Sequence, residues 1–290
     1  MIVLLGGSGY VGSEFVRNLE IRGVEYSSIS RANGVDYYAV DQLVRELERL
    51  KASFVINAAG YTGKPNVDAC EVYKDDCLMG NVILPSRVAS ACHKLGVPFG
   101  HVSSGCIYTG RRSDGFPFSE EDAPNFSFRQ DNCSFYSGCK ALGEELLSET
   151  ENSYIWRLRI PFDEHDGSRN YLSKLMRYEK LLIAENSISH LWEFVDACIE
   201  TYLRQIPFGT YNITNPGFVS TTEVVDLIKE SGLSNKKYSF FSDIDEFMAK
   251  AAKTPRSNCV MSPDKIMSHG IKLRPVREAI CSALENWVRE

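Results

Sequence analysis

The sequence predicts an α/β fold in which a doubly wound parallel sheet carries helices on both faces. Short apolar runs alternate along the chain with amphipathic segments of helical spacing, and this alternation is typical of βαβ units. The first run, Ile2 to Leu5, is joined by a glycine-rich turn to a helical segment that contains Phe15, Val16 and Leu19. Polar side chains directly after later apolar runs agree with this fold, because ligands bind outside the carboxyl ends of such strands.

Composition restricts the class of function. The chain has 290 residues, of which 43% are hydrophobic and 24% charged, and this suffices for one large α/β unit or two lobes. The net charge of −6 argues against general binding to nucleic acid or to a membrane surface. No apolar run approaches the roughly 20 residues of a membrane-spanning helix. No basic segment precedes the first apolar run, so we expect no signal peptide.

Cysteine usage indicates a reducing compartment. The nine cysteines include no C-x-x-C pair, whereas secreted disulfide scaffolds are shorter and denser in cysteine. The five histidines form no metal-binding spacing with them. We therefore expect a cytoplasmic protein without a structural metal. The oligomeric state stays open, and a homodimer is the commonest assembly of soluble proteins.

The turn after the first strand carries a dinucleotide-binding motif. Gly6, Gly9 and Gly12 fit the pattern G-x-x-G-x-x-G between a strand and a helix, which is the context that the motif requires. Glycines there let the backbone approach a pyrophosphate at the positive end of the helix, beside Tyr10 and Val11. We therefore predict a Rossmann-type cofactor domain, with a plain tight turn as the alternative.

The second strand, Tyr26 to Ser30, should end where the adenosine ribose of the cofactor lies. NAD would call for an acidic side chain near that point, but the chain offers Ser30 and Arg31. An arginine can form a forked pair with a 2′-phosphate and stack on adenine, which favours NADP(H). A solvated surface arginine is the alternative.

Small residues follow the third predicted strand, Phe54 to Asn57. They would admit the phosphates and ribose of a dinucleotide at the same edge of the sheet. The cofactor contacts predicted there are Asn57, Ala58, Ala59 and Tyr61. The next loop supplies a cation, Lys64, and an amide, Asn66, near that edge. Asn81, where a long helical region is interrupted, either braces these loops or caps a turn.

A fourth predicted strand, Pro98 to Val102, is followed by two hydroxyls and a thiol, those of Ser103, Ser104 and Cys106. Their position just past a strand predicts the floor of an active site. Residues 110–129 are polar and punctuated by glycine and proline. This composition predicts a surface loop over the site, with a lid as one role.

A helical segment, Phe135 to Leu147, places Tyr136 and Lys140 four residues apart on one face. An ammonium beside a phenol favours the phenolate and makes the phenol a usable proton donor near neutral pH. Alone, such a pair is more often a lysine stem packed on a ring. After an amino-terminal glycine turn and a serine-bearing fourth strand, the pair indicates catalysis.

These motifs, in this order and spacing, resemble the extended short-chain dehydrogenase/reductase superfamily across nearly the whole chain. Within it, residues 57–62 and the compact length are similar to the dTDP-4-dehydrorhamnose reductase branch. Further stretches resemble the bifunctional UDP-4-keto-6-deoxyglucose 3,5-epimerase/4-reductases, which complete UDP-L-rhamnose synthesis. These stretches are Gly63 to Asp68, Ser104 to Ile107, Arg177 to Lys180, Thr214 to Gly217 and Pro255 to Asn258.

The resemblance implies a role for each residue of the reductase. Tyr136 would donate a proton to the oxygen at sugar carbon 4, and NADPH would supply the hydride. Lys140 would hold the nicotinamide ribose and lower the pKa of the tyrosine. Ser104 would hydrogen-bond the same carbonyl oxygen.

The resemblance also implies an epimerase, because Cys106 stands where dehydratases of the superfamily carry an acidic residue and dedicated rhamnose reductases usually an aromatic one. The 4-keto group acidifies the hydrogens on carbons 3 and 5, so two proton-transfer groups are needed. Cys106, with an ordinary thiol pKa of about 8.5, would be one and Lys174 the other. Read without the family, Cys106 is a small buried hydrophobe and Lys174 a solvated helix lysine.

The rest of the chain fits a substrate lobe wrapped onto the cofactor domain. We expect the NADP-binding domain in residues 1–160, with a return at about 190–213, and the substrate-binding lobe in residues 161–189 and 214–290. The implied contacts of a UDP-linked 4-keto-6-deoxy sugar are Lys64, Asn66, Ser104, Asn215, Arg256 and Asn258. Arg256 would clamp the diphosphate in a bidentate way, with a structural salt bridge as the alternative.

Two other functions stay open on the sequence. One is a 4-reductase alone, acting on a dTDP- or UDP-linked 4-keto-6-deoxyhexose that another enzyme has epimerised. The other is a non-catalytic NADP-binding regulatory subunit, because this branch also resembles the regulatory partner of methionine adenosyltransferase. The complete set of Ser104, Tyr136 and Lys140 argues against the regulatory subunit.

Overall fold

A parallel sheet forms the centre of the computed structural model, which describes residues 1–30 and 34–289. Within those ranges the sheet has six strands, which are β1 (Ile2–Leu5), β2 (Tyr26–Ile29), β3 (Phe54–Asn57), β4 (Phe99–Ser104), β5 (Ser153–Leu158) and β10 (Gly209–Asn212). Their spatial order is β10-β5-β4-β3-β1-β2. The order reverses direction between β1 and β3, and ligands bind at such a switch point in open α/β sheets.

Helices cover both faces of this sheet. The helices of the described residues are α1 (Tyr10–Ile21), α2 (Val40–Arg49), α3 (Lys74–Leu78), α4 (Leu84–Leu95), α5 (Phe135–Leu147), α6 (Tyr171–Arg177), α7 (Leu191–Leu203), α8 (Thr221–Glu230), α9 (Ile244–Lys250), α10 (Asp264–Ser268) and α11 (Val276–Glu285). Among them, α1 and α7 pack on one face of the sheet and α2 and α4 on the other. Alternate residues of β1 enter different cores: Ile2 and Leu4 pack with the apolar sides of α1 and α7, and Val3 and Leu5 pack with those of α2 and α4. Because both faces are buried, β1 is apolar throughout rather than alternating.

A third core belongs to the carboxyl-terminal part of the chain. Phe162, Leu172, Leu181, Val224 and Ile280 are buried together in it. Short strand pairs frame it, namely β6 (Pro161–Phe162) with β9 (Ser189–His190), β7 (Lys180–Leu181) with β12 (Ser239–Phe240), and β8 (Glu185–Asn186) with β11 (Val219–Ser220). This core is separate from the two cores of the sheet, so the carboxyl-terminal part forms a lobe with its own core.

The predicted α/β fold with its parallel sheet is confirmed. The main change at an element boundary concerns β4, which extends past the predicted end at Val102 to include Ser103 and Ser104. The predicted helical region of 67–95 is divided into a 3₁₀ turn (Val67–Glu71), α3, a π-helical turn (Met79–Ile83) and α4. In the part of the chain that the structure describes, no helix is long and apolar enough to cross a membrane.

A buried charge network lies beneath the carboxyl end of β4. Arg157 in β5 forms a salt bridge of 2.8 Å with Glu144 of α5, and both side chains are buried. Glu144 also accepts a hydrogen bond of 2.5 Å from Ser103 Oγ, and Arg157 donates one of 2.9 Å to Tyr108 Oη. The network therefore ties α5 to the strands that form the floor of the cleft.

Replacing Glu144 with alanine should destabilise the fold severely. The substitution leaves the guanidinium of Arg157 buried without its counter-ion, and breaking such a pair costs about 3–5 kcal/mol of unfolding free energy. Chemical denaturation measures the loss. The matched control is Glu145→Ala, because Glu145 is exposed on the same helix and its ion pair is with the exposed Arg129. Equal destabilisation by both variants would contradict the role of the network.

Candidate active site

The glycine turn after β1 has the geometry that a dinucleotide requires. Gly6 has a φ of +83°, and its carbonyl accepts a hydrogen bond of 3.0 Å from Gly9 N–H. A Cβ on Gly12 would lie 1.9 Å from Gly6 O, and one on Gly6 would lie 2.6 Å from Ala59 N. Helix α1 begins directly after this turn, so its amino-terminal N–H groups face the point where a pyrophosphate would lie.

The Gly12→Ala variant should lose cofactor affinity. Its methyl group would push the carbonyl of Gly6 out of place and spoil the turn, so we expect the Kd for NADPH to rise by about tenfold or more, which corresponds to 1.4 kcal/mol. Fluorescence titration measures the affinity. Gly167→Ala is the control, because a Cβ there meets no atom within 4 Å, and an unchanged Kd for Gly12→Ala would show that the turn tolerates a side chain.

Two cavities meet along the carboxyl edge of the sheet. One has a volume of about 620 Å³ and the other of about 810 Å³, and Gly9, Ala58 and Ala59 line both. They form one cleft across the switch between β1 and β3, with room for a dinucleotide and a second ligand. We name the first cavity the catalytic cavity; its walls include the predicted residues Gly9, Tyr10, Val11, Ala58, Ala59, Lys64, Ser104, Cys106, Tyr136, Lys140, Lys174 and Arg256.

The second cavity lies at the carboxyl ends of β1 and β2. Its walls include three more predicted cofactor contacts, Gly6, Ser30 and Tyr61. This position agrees with the adenosine half of a dinucleotide, because that half lies over the end of the second strand in the fold. Arg31 lies outside the described residues, so its role at the 2′-phosphate stays a prediction.

Ser104, Tyr136 and Lys140 come together from β4 and α5. Ser104 ends β4, and its Oγ accepts a hydrogen bond of 3.2 Å from Cys106 N–H. Tyr136 lies in the first turn of α5. One turn later, Lys140 is only 6% exposed, and its Nζ donates a hydrogen bond of 3.3 Å to Val102 O.

Electrostatics keep the proton on Tyr136. Burial raises the pKa of Tyr136 well above its ordinary value, neighbouring thiols, Cys106 foremost, raise it further, and a hydrogen bond with Ser104 opposes the rise. Burial also lowers the pKa of Lys140. A nearby ammonium would lower the pKa of a phenol, but burial outweighs that effect in this chain. The phenol is therefore a proton donor at neutral pH.

Cys106 lies in a short 3₁₀ turn, Gly105–Ile107, directly after β4. Its side chain is 6% exposed and forms part of the wall of the catalytic cavity. Burial raises the pKa of the thiol, and hydrogen bonds to Ser104 and Ser137 oppose that rise. The charge of Arg159 opposes it as well. Cys106 is thus buried, as the alternative interpretation expected. It also borders the catalytic cavity.

Lys174 reaches the same cavity from α6 of the carboxyl-terminal lobe. Burial lowers the pKa of Lys174, and the charge of Arg169 lowers it further. Arg169 lines the cavity too, where its guanidinium donates to Thr62 Oγ1 at 3.0 Å and to Gly63 O at 2.9 Å. The lysine is therefore not a solvated helix residue, and its pKa is lowered by burial and by the neighbouring guanidinium.

Arg256 lines the catalytic cavity and also makes the salt bridge that the alternative interpretation expected. Its Nη1 lies 2.7 Å from Asp68 Oδ1, and its Nη2 donates to Asp68 Oδ2 at 2.8 Å. Lys64 stands in the wall of the same cavity. Arg169 is a third cation in this wall, and guanidinium groups of this kind can bind a diphosphate.

Some predicted site residues support the cleft from outside its walls. Asn57 is buried; its Nδ2 lies 3.1 Å from His101 Nδ1, and its Oδ1 accepts a hydrogen bond of 3.1 Å from Ala59 N–H. Asn66 caps the 3₁₀ turn after it by accepting from Asp68 N–H at 2.9 Å. Both side chains therefore hold the backbone of loops that border the cleft.

Asn215 and Asn258 also lie away from the catalytic cavity. Asn215 Oδ1 accepts a hydrogen bond of 2.6 Å from His190 N–H, and its Nδ2 donates to Glu193 at 2.7 Å. Asn258 accepts from Asn186 Nδ2 at 3.1 Å and lines a separate cavity of the carboxyl-terminal lobe. Both amide side chains are engaged in hydrogen bonds that stabilise the fold. Neither of them lines the catalytic cavity with the other predicted site residues.

The bracing role of Asn81 is confirmed. Its Nδ2 donates to Tyr61 O at 2.7 Å, and its Oδ1 accepts from Tyr61 N–H at 3.3 Å, so it holds the loop after β3.

The loop of residues 110–129 is fixed to the rest of the fold by hydrogen bonds and packing. Phe118 N–H donates to Val260 O at 2.9 Å, Phe118 is buried, and none of residues 110–129 lines the catalytic cavity.

Sequence reasoning missed two arginines of the catalytic cavity, Arg159 and Arg169. Arg159 directly follows the largely apolar run Tyr154 to Leu158, so its place at the carboxyl end of a strand was the available indication. Arg169 lies in an irregular segment before α6, and no local pattern distinguishes it from a surface arginine.

The doubly wound parallel sheet, the glycine turn and the Ser104, Tyr136 and Lys140 set together define a short-chain dehydrogenase/reductase of the extended type. The family model of the RmlD substrate binding domain matches residues 1–289. The chain belongs to this family.

Comparison with individual proteins agrees with the family. A bifunctional dTDP-4-dehydrorhamnose 3,5-epimerase/dTDP-4-dehydrorhamnose reductase of Arabidopsis thaliana is 32% identical over 283 residues, covering 96% of this chain and 90% of the relative. The chain spans 40% of the length of a trifunctional relative from the same plant, a UDP-glucose 4,6-dehydratase/UDP-4-keto-6-deoxy-D-glucose 3,5-epimerase/UDP-4-keto-L-rhamnose-reductase with 30% identity.

Solved structures share the fold. The UDP-rhamnose synthase of Acanthamoeba polyphaga mimivirus has a TM-score of 0.89 and 24% identity, with 98% of each chain covered. The dTDP-4-dehydrorhamnose reductase of Bacillus anthracis, solved in complex with NADP, has a TM-score of 0.80 and 18% identity, covering 99% of this chain and 97% of that one. The sheet and both lobes therefore follow one common architecture.

Proposed function

We propose that the chain converts UDP-4-keto-6-deoxy-D-glucose to UDP-L-rhamnose by 3,5-epimerisation followed by NADPH-dependent reduction at carbon 4. The reductase half is supported by family membership and by the complete set of reductase side chains. The epimerase half is supported by one observation, a single cavity whose walls include Ser104, Cys106, Tyr136, Lys140 and Lys174.

Reduction needs a proton at the oxygen of carbon 4. Tyr136 holds that proton, because its raised pKa keeps the phenol neutral. Ser104 hydrogen-bonds the tyrosine and would orient the substrate carbonyl. Lys140 would fix the nicotinamide ribose from the same helix. The glycine turn would hold NADPH, which would supply the hydride when bound.

Epimerisation needs one group to remove a proton from carbon 3 or carbon 5 and another to return one to the opposite face. Cys106 after β4 and Lys174 on α6 come from different lobes and border the same cavity. A thiolate and an ammonium can take these roles, because burial brings the lysine pKa down toward the range where proton transfer in both directions is efficient.

The two lobes divide the substrates between them. We assign NADP(H) to residues 1–160 with 190–213, and the nucleotide sugar to residues 161–189 and 214–290. Lys64, Arg169 and Arg256 would receive the diphosphate where the lobes meet. We assign the chain to a reducing compartment such as the cytoplasm, because its nine cysteines include no C-x-x-C pair and do not have the density of a secreted disulfide scaffold.

The test incubates the chain with NADPH and UDP-4-keto-6-deoxy-D-glucose in heavy water and reads the product by NMR. We expect UDP-L-rhamnose with deuterium at carbons 3 and 5. Reduction without exchange would leave a 4-reductase alone, and no oxidation of NADPH with any 4-keto sugar would favour a non-catalytic NADP-binding subunit. A parallel reaction with the dTDP-linked sugar measures the preference between the two nucleotides.

The two half-reactions should respond to pH in opposite directions. Exchange needs the thiolate of Cys106, and burial raises the pKa of that thiol, so the exchange rate should rise with pH through and above about 8.5. Reduction needs the protonated phenol of Tyr136, whose pKa is also raised, so its rate should fall only above about pH 10. Separate pH profiles for deuterium uptake and NADPH oxidation check this, and parallel profiles would contradict it.

A further inference from the structure

Arg159 is a buried cation with an unfilled hydrogen-bonding position. It follows β5 directly, is 5% exposed and borders the catalytic cavity. Its Nη2 donates to Asn186 Oδ1 at 2.5 Å and to Ser257 O at 2.6 Å. Its Nε is buried and, among the described residues, has no hydrogen-bond partner.

Arg157 and Arg159 are both buried arginines, but they differ in whether a carboxylate pairs with them. Arg157 is equally buried, but its charge is matched by Glu144 at 2.8 Å. Both acceptors of Arg159 are neutral, an amide and a carbonyl, and within residues 1–30 and 34–289 it forms no ion pair with a carboxylate. A buried charge is costly unless it is paired. The guanidinium of Arg159 can therefore pair with an anion that forms only during function.

The neighbouring turn supplies such an anion. A Cβ on Gly105 would lie 3.4 Å from Arg159 Cδ, so the arginine stem packs against the residue before Cys106. Cys259 connects Gly105 with Asn186. Its thiol donates to Gly105 O at 3.3 Å, and its N–H donates to Asn186 Oδ1 at 3.1 Å. The side chain that holds Arg159 is therefore linked to the turn that presents Cys106.

We propose that Arg159 is the positioning residue of Cys106: its guanidinium, fixed by Asn186 and Ser257 and left without a carboxylate among the described residues, stabilises the thiolate of Cys106. Its part in epimerisation rests on the proposed function, whereas the thiolate is a property of the free chain. Burial alone would hold Cys106 in the inert thiol form. The positive charge of Arg159 opposes this effect of burial, because it lowers the pKa of Cys106.

Other groups face Cys106 as well. The titratable and charged side chains around it are Arg159 after β5, Tyr136 and Lys140 on α5, Cys133 before α5, and Cys70 in the 3₁₀ turn after β3. Lys140 is the second cation, but its ammonium is turned to Val102 O and is needed by the cofactor in the proposed function. Arg159 is the cation of this group without a part in reduction.

The test compares the full chain carrying Arg159→Met with the unaltered chain, both without substrate. Alkylation of Cys106 by iodoacetamide is followed as a function of pH by peptide mass spectrometry. We expect the midpoint for Cys106 to move upward by about one pH unit or more, which means about tenfold less thiolate at neutral pH. Cys281 on α11 is the reference thiol in the same sample, and its profile should stay in place. An unmoved Cys106 midpoint would overturn the proposal.

Asn186→Asp keeps the proposal testable if Arg159→Met does not fold. It places a carboxylate at the atom that accepts from Arg159 Nη2, so the guanidinium is neutralised without being removed, and the Cys106 midpoint should again rise. Arg159→Lys keeps the positive charge but loses the forked geometry of the guanidinium. It should therefore shift the alkylation midpoint of Cys106 less than Arg159→Met does. Retained NADPH binding shows that each variant is folded.

The substrate assay separates this proposal from the proposed function. In Arg159→Met, the pH profile of deuterium exchange should move upward with the alkylation profile, while the pH profile of reduction of the epimerised sugar stays in place. A uniform loss of both reactions without any profile shift would mean a merely structural arginine and would overturn the proposal. If the unaltered chain exchanges no deuterium but the alkylation midpoint still moves, the epimerase function fails and the role of Arg159 stands.

Discussion

Cys106→Ala should abolish deuterium exchange at carbons 3 and 5 and preserve reduction of a substrate that is already epimerised. The substitution removes the thiol that would transfer the proton, and a positioned acid or base contributes about 10²–10⁴-fold, so the exchange rate should fall by that factor. Alanine leaves the N–H of residue 106 in place as the donor to Ser104 Oγ. The reductase geometry should therefore survive, and NMR in heavy water with an NADPH oxidation assay measures both halves.

The control for this variant is Cys281→Ala, which removes a thiol from α11 of the carboxyl-terminal lobe. Its exchange and reduction rates should equal those of the unaltered chain. Exchange that persists in Cys106→Ala would assign the proton transfer to another group. Loss of both reactions in that variant would mean instead that Cys106 supports the shape of the floor.

Local patterns were enough to predict the glycine turn and the helix that carries Tyr136 and Lys140. The strand β1 and its glycine turn lie within a dozen residues, and the restrictions at Gly6 and Gly12 arise from contacts inside or next to that turn. Tyr136 and Lys140 are fixed relative to each other by one helical turn. Short-range geometry therefore carried over from sequence to structure without change.

Contacts between distant segments could not be predicted in the same way. Arg256 meets Asp68 across 188 positions, and Arg159 meets Asn186 and Ser257 across 27 and 98. The two-residue strands of the carboxyl-terminal lobe are too short to show a period of alternation. The end of β4 was misjudged because Ser103 is polar, although its hydroxyl is satisfied by Glu144 inside the fold.

These long-range contacts also decide how the site residues are interpreted. The sequence left Cys106 open between a buried apolar role and a chemical one, and burial alone does not choose between them. What favours chemistry is an arrangement that only the fold supplies. A cation without a carboxylate partner among the described residues lies beside the turn, and Lys174 comes from another lobe to the same cavity. The functional interpretation of the thiol thus depends on Arg159 more than on any residue near it in the chain.

Tyr136→Phe should give the complementary result, exchange without reduction. The variant loses the hydroxyl that protonates the oxygen of carbon 4, so we expect NADPH oxidation to slow by about 10²–10⁴-fold. The ring still fills the same wall, and Cys106 and Lys174 remain, so deuterium should continue to enter carbons 3 and 5 of the unreduced keto sugar. Tyr178→Phe, at an exposed position after α6, is the control. If Tyr136→Phe stops both reactions while NADPH still binds, one proton donor serves both steps, and the division of labour between Tyr136 and Cys106 is wrong.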